Sequence, residues 1–155
     1  MGDVWKHSQF YKDATTGELL PKYLLILAVR PDGDLVYRLL TSQAHQRPQA
    51  PACDKDGIHP GYFLGTPTPA GALCKPTWLD LREIEDFDAR DFEALTKKNI
   101  LTLIHSFPAE IMCPALECAA YAPDTTARQT KYIMAARATL RKRLPRAVLM
   151  PASNY

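Results

Sequence analysis

One hairpin constrains this chain more than anything else in it. Residues 23–29 (Tyr23, Leu24, Leu25, Ile26, Leu27, Ala28, Val29) form an unbroken apolar run rich in strand formers. Such a run, bounded by turn signals, is a central buried strand. Pro31, Asp32, Gly33 and Asp34 follow it. Pro31 pre-sets its φ and Gly33 tolerates a positive one, so the chain reverses there. Residues 35–41 (Leu35 to Thr41) then return as a second strand. Together the two strands make a hairpin.

Shorter strand signals surround the hairpin. Residues 4–10 interleave apolar and polar side chains and read as a first strand, followed by a turn cluster at 13–17. Residues 62–64 and 77–81 read as two more short strands, with a Pro- and Thr-rich connection at 66–71. Between them, residues 42–57 are polar and broken by Pro48 and Pro51, a loop too polar to be a buried element. The order and spacing of the strands suggest a small β-barrel with Thr41 and Ser42 at one mouth.

Helical signals dominate the rest. Asp88 is placed to cap a helix running to Lys97, with Asn99 as its stop. Residues 100–107 are either a last strand or a continuation of that helix; alternation and β-branching favour the strand. Pro114 suits the first turn of a second helix carrying Ala115, Leu116, Ala119 and Ala120 inward. Asp124 is expected to cap a third, with Tyr132, Ile133, Ala136 and Leu140 at helical spacing and Pro145 at its end. Residues 147–155 read as an extended tail. Strands first and helices last indicate an α+β fold: a barrel domain over residues 1–107, and a helical extension over 108–155 packed on it.

A chain of 155 residues, 46% hydrophobic and 23% charged, can bury a core without metal or disulfide staples. The cysteines (Cys53, Cys74, Cys113, Cys118) lack Cys-x-x-Cys spacing, and reduced thiols are expected. A zinc site using Cys53 and His59 has no close ligand pair to support it, so neither metal nor cofactor is expected. No apolar run is long enough to span a bilayer and no secretory pattern opens the chain, which points to a cytoplasmic protein without a membrane partner. The net charge of +2 conceals an acidic stretch at 80–93 and a basic one at 124–155. The latter suits phosphates or an acidic partner, and equally a solvated helix face.

No phosphate-binding glycine loop, His-Glu-x-x-His or nucleophile elbow is present. Candidate groups therefore come from position. Thr41 and Ser42 end a central strand, where a hydroxyl can meet a phosphate or ribose oxygen. Lys22 enters the neighbouring strand and can stabilise a phosphorane. His45, in the loop beyond the hydroxyl pair, is the acid/base candidate. Gln43, Arg47, Lys75 and Trp78 are candidates for holding substrate. Trp5, Tyr37, Tyr62 and Phe63 join Trp78 as aromatics fit either for base stacking or for the core.

The strand blocks, taken in order, resemble the MazF/PemK/Kid-like toxins. Gly2, Asp3, Val4 and Trp5 resemble that family's opening block; Lys22 to Leu27 resembles its Arg-Pro-apolar strand; Leu39, Leu40, Thr41 and Ser42 match its strand ending in Thr-Ser; and Lys75 to Asp80 resembles its later Pro-containing strand. The resemblance covers roughly residues 1–100. It implies an SH3-like β-barrel, a homodimer, an antitoxin partner and metal-independent cleavage of single-stranded RNA. The departure lies at Lys22: the family has arginine before proline, whereas here Pro21 precedes the lysine, and lysine lacks the bidentate guanidinium fork. A barrel-fold binding module that holds a protein or nucleic acid without cutting it is the alternative.

Overall fold

A computed structural model describes residues 1–145; the tail expected at 147–155 lies outside them. The strands are β1 (Asp3–Lys12), β2 (Leu19–Val29), β3 (Leu35–Thr41), β4 (Cys53–Asp54), β5 (Gly61–Phe63), β6 (Trp78–Asp80) and β7 (Leu101–Ser106). The helices are α1 (Ala89–Lys97), α2 (Ala109–Ala120) and α3 (Ala127–Arg141). All strand pairings are antiparallel, in the order β4-β5-β6-β3-β2-β1-β7. The fold is α+β. The sheet is open among the described residues, with β4 and β7 at its edges, so the expected closure into a barrel is absent.

The β2–β3 hairpin sits inside this sheet. Its turn is closed by Arg30 N donating to Asp34 O (2.8 Å) and Gly33 N to Arg30 O (2.9 Å), with Gly33 at φ 92°. The run at 24–28 lacks polar residues because both faces are covered. On one face Leu25, Leu27, Val36 and Leu40 pack with Met112, Leu116, Ile133 and Leu140 from α2 and α3. On the other, Leu24, Ile26, Leu35 and Tyr37 pack with Trp5, Phe87, Phe92 and Leu95, which brings α1 across the sheet. Residues of α2 and α3 thus share one core with the strands.

Asp88 caps α1, accepting from Arg90 N (2.8 Å) and Asp91 N (3.0 Å), and Asn99 follows at φ 56°. Two other helix starts differ from expectation. Pro114 lies inside α2, which begins at Ala109 after Pro108, so the ring is accommodated on an exposed face rather than in the first turn. Thr126, not Asp124, caps α3: its hydroxyl accepts from Gln129 N (3.1 Å) while Gln129 Oε1 accepts from Thr126 N (3.3 Å). The expectation of four reduced cysteines is also corrected. α2 turns Cys118 inward beside β4, and Cys53 and Cys118 are joined as a disulfide with Cα atoms 5.8 Å apart. Cys74 and Cys113 are free. Among the described residues no helix is long and apolar enough to cross a membrane.

Candidate functional site

At the Thr41 end of β3 the chain leaves the sheet and wraps back over it. Gln43 N donates to Thr41 Oγ1 (3.1 Å), and Arg47 N to Ala44 O (2.7 Å), closing a tight turn. His45 and Gln46 hold positive φ angles of 42° and 65°, which non-glycine residues seldom adopt. The turn carries Arg47 back onto the sheet, where its side chain is 2% exposed. Its Nη1 donates to Gln43 O (2.9 Å), and Nη2 lies 3.8 Å from Asp80 Oδ2. Gly61 makes this possible, because a Cβ there would meet Arg47 Cδ at 3.0 Å.

The result is a polar cleft of about 250 Å³. Five of the sequence-derived candidates line it: Lys22, Thr41, Gln43, His45 and Arg47. Three further polar residues complete the wall, namely His59, Asp80 and Arg82. The rings of His45 and His59 lie 5.5 Å apart, and His45 Nε2 is 2.6 Å from Gln43 Oε1. Arg82 Nε reaches both oxygens of Asp80 at 3.0 Å. Lys22, Arg47 and Arg82 thus share the cleft with a single carboxylate, leaving it cationic.

Burial shapes the charges. It pushes the Arg47 guanidinium down from its ordinary value, and Asp80 opposes that. Burial also disfavours the charged form of Asp80, but hydrogen bonds from Arg82 and the charges of Arg82 and Arg47 outweigh it and hold the carboxyl below its usual range. Arg82, 61% exposed, is raised by the same hydrogen bonds and stands at the cleft with its charge available to solvent.

Three other candidates are not brought to this cleft. Ser42 is exposed and is not part of the lining. Lys75 is exposed on the connection before β6 and also stands apart. Trp78 is corrected from a substrate-binding residue to a core one: it is 3% exposed, and its indole N–H donates to Pro48 O (3.0 Å), fastening the loop to the sheet. The aromatics weighed for stacking go the same way. Tyr37 is buried, while Trp5 and Phe63 pack against Phe92 and Trp78 respectively.

Asp80 and Arg82 are not among the candidates the sequence offers, and His59 is named there only as a possible zinc ligand. Asp80 and Arg82 carry a local signal, since residues two apart at a strand end can share a face. His59 carries none, because only the fold of the 42–60 segment brings it to His45. A larger cavity of about 480 Å³ lies between Val29, Pro31 and α3, but its polar lining is chiefly Lys131 and Arg30. Arg30 is already paired with Asp32 (2.6 Å) and Asp86 (3.1 Å), and no acid/base pair stands there. The smaller cleft is the better site on chemical grounds.

Comparison with known protein families, with characterised proteins and with solved structures returns no match for this chain.

Proposed function

We propose that this cleft binds a phosphodiester of single-stranded RNA and cleaves it without metal, as a divergent relative of the MazF/PemK/Kid-like toxins. In this reading the open sheet is a variant of that family's SH3-like barrel. The observation that supports it most is the convergence of two histidines and three cations on one small cleft, with a single carboxylate among them. One histidine takes the proton of the ribose 2′-hydroxyl as its oxygen attacks phosphorus. The bond to the 5′-oxygen breaks, and the other histidine, protonated beforehand, gives that oxygen its proton. Lys22 and Arg82 offset the charge gathering on the phosphorane, and Thr41 offers a hydroxyl to a phosphate oxygen. The products are a 2′,3′-cyclic phosphate and a 5′-hydroxyl. A homodimer, an acidic antitoxin and a cytoplasmic setting accompany this reading as further expectations.

The test is incubation of the purified chain with an end-labelled single-stranded RNA in EDTA, with products identified by mass. Because cytosolic thiols are kept reduced, it is run with and without dithiothreitol. Cleavage to the cyclic phosphate, blocked by a 2′-deoxy sugar at the cut site and reduced about 100-fold or more in His45→Ala and His59→Ala, is the expected result. Wild-type protein that binds this RNA without cutting it would instead establish the binding-module reading. The Gln43 side-chain amide oxygen, 2.6 Å from His45 Nε2, favours that alternative, since it occupies one ring nitrogen.

A further inference from the structure

The cleft accounts for a phosphate but not for the bases on either side of it, and of the aromatics expected to stack Tyr37 and Trp78 are buried while Trp5, Tyr62 and Phe63 are half-buried by packing. One aromatic beside the cleft is exposed. Tyr11, near the far end of β1, is 43% exposed, and the ammonium of Lys22 lies 5.6 Å from its ring centroid. Lys22 itself lines the cleft. The register explains how the ring comes to be there. His7 pairs with Lys22 and Tyr11 with Leu20, so four steps along β1 answer two along β2. A regular ladder would set Gln9 opposite Leu20; the irregularity sets Tyr11 there. Paired residues share a sheet face, as do residues two apart on a strand, so Tyr11, Leu20 and Lys22 point the same way.

We propose that Tyr11 is a stacking subsite for one unpaired nucleobase of a strand whose neighbouring phosphate lies in the cleft. The proposal rests on the ribonucleic acid reading above and names a subsite within it. An exposed ring held beside a cationic groove is how single strands are gripped without base-pair readout, since every base offers a π face. Lys22 covers part of Tyr11 and would serve both groups: its charge lies by the ring and faces the phosphate.

The test uses a fluorescent 2′-O-methyl RNA oligonucleotide, which lacks the attacking hydroxyl, and measures equilibrium binding to wild type, Tyr11→Ala and Tyr11→Phe. Tyr11→Ala is expected to weaken binding about ten-fold and Tyr11→Phe to leave it within about two-fold. In a series of oligonucleotides each with one abasic position, one position should weaken wild type to the level of Tyr11→Ala and leave the variant unaffected. On cleavable RNA the alanine variant should raise KM and spare kcat. Equal affinity of wild type and Tyr11→Ala, or an alanine penalty that survives every abasic position, overturns the subsite while leaving the cleft reading intact. Wild type that does not bind the oligonucleotide at all overturns both. Thermal melts of the two variants matching wild type exclude a folding defect, as the exposure of Tyr11 leads one to expect.

Discussion

Two arginines are sunk into this molecule, and they are held in different ways. Arg38, fully buried on β3, lies between the sheet and α3. Its guanidinium donates to Tyr37 O (2.8 Å), Thr125 Oγ1 (3.1 Å) and Gln129 Oε1 (3.1 Å), all uncharged acceptors. Gln129 passes the contact on by donating to Ile84 O (3.1 Å) and Asp86 Oδ1 (2.8 Å). One side chain thus joins the α3 cap, the central strand and the strip before α1. Arg47 is buried by its own loop, with Gln43 and Asp80 as partners. Both have an Nε without a hydrogen-bond partner among the described residues. Burial pushes both guanidinium groups down from their ordinary value. The contrast teaches where the chain spends rigidity: Arg38 is locked by regular elements and stays out of the cleft lining, whereas Arg47 shapes the cleft from a segment with little regular structure.

That segment has a covalent anchor, and removing it should break the comparison most. The Cys53–Cys118 bond closes a sequence separation of 65 residues between β4 and α2. By the loop-entropy argument its loss costs about 4 kcal/mol of unfolding free energy. The double variant Cys53→Ser, Cys118→Ser should lose that much in urea titration. Its amide exchange should rise first in residues 42–60, before the β2–β3 hairpin. Exchange that rises first around Arg38 would reverse the assignment of rigid and pliant regions.

Arg38→Ala comes next. It leaves a cavity in the core and strips partners from Thr125, Gln129 and the Tyr37 carbonyl, for an expected loss of about 3 kcal/mol. Arg38→Met, which fills the space without a charge, should recover much of it. Neither should alter RNA affinity of the folded protein by more than about two-fold, because Arg38 does not line the cleft. Arg47→Ala should do the opposite. Urea titration should show a stability loss of only about 1 kcal/mol, while RNA cleavage falls about 10- to 100-fold in kcat/KM as Asp80 and the 43–47 turn lose their anchor. A large stability loss with intact cleavage would make Arg47 a second structural bolt.

The two regions also differed in how far their sequence could be read. The hairpin was legible because burial on both faces leaves a run with no polar residue, and Asp88 because a cap is a local event. Thr126 and Gln129 also spelled their capping box locally; Asp124, two residues earlier, carried the more familiar acidic signal, and the hydroxyl with its reciprocal glutamine won. Arg38 could not be read as core, since its partners Thr125 and Gln129 are 87 and 91 residues away. The disulfide likewise depends on the turn of α2 that faces Cys118 to β4. At the cleft, Lys22, Thr41, Gln43, His45 and Arg47 were reachable from strand order, since each lies at or near the ends of β2 and β3. Asp80 and Arg82 carried only the weaker signal of their spacing at a strand end, and His59 carried none, because the return path of a loop is set by tertiary contacts such as Trp78 with Pro48.

The smallest expected effect isolates the ion pairing that separates the two arginines, because only Arg47 has a carboxylate partner among the described residues. Asp80 is buried, which opposes its ionisation, yet its bonds to Arg82 and its proximity to Arg47 hold its folded pKa below the ordinary 3.8. The unfolded chain therefore binds more protons than the folded one as pH falls past that value. A depressed carboxylate contributes stability that is present above the unfolded pKa and lost as pH falls through the folded one. Wild type should accordingly lose stability below about pH 4. Asp80→Asn, nearly the same shape but uncharged, should show a shallower acid limb with a lower plateau at neutral pH. Arg38→Met should change the slope of that limb less than Asp80→Asn does, because the charges of Asp86 and Asp124 act on Arg38 more strongly than that of Asp80. Should Arg38→Met flatten the limb as much as Asp80→Asn does, the buried charge on β3 would be coupled to the cleft carboxylate, and the two arginines would belong to one electrostatic unit.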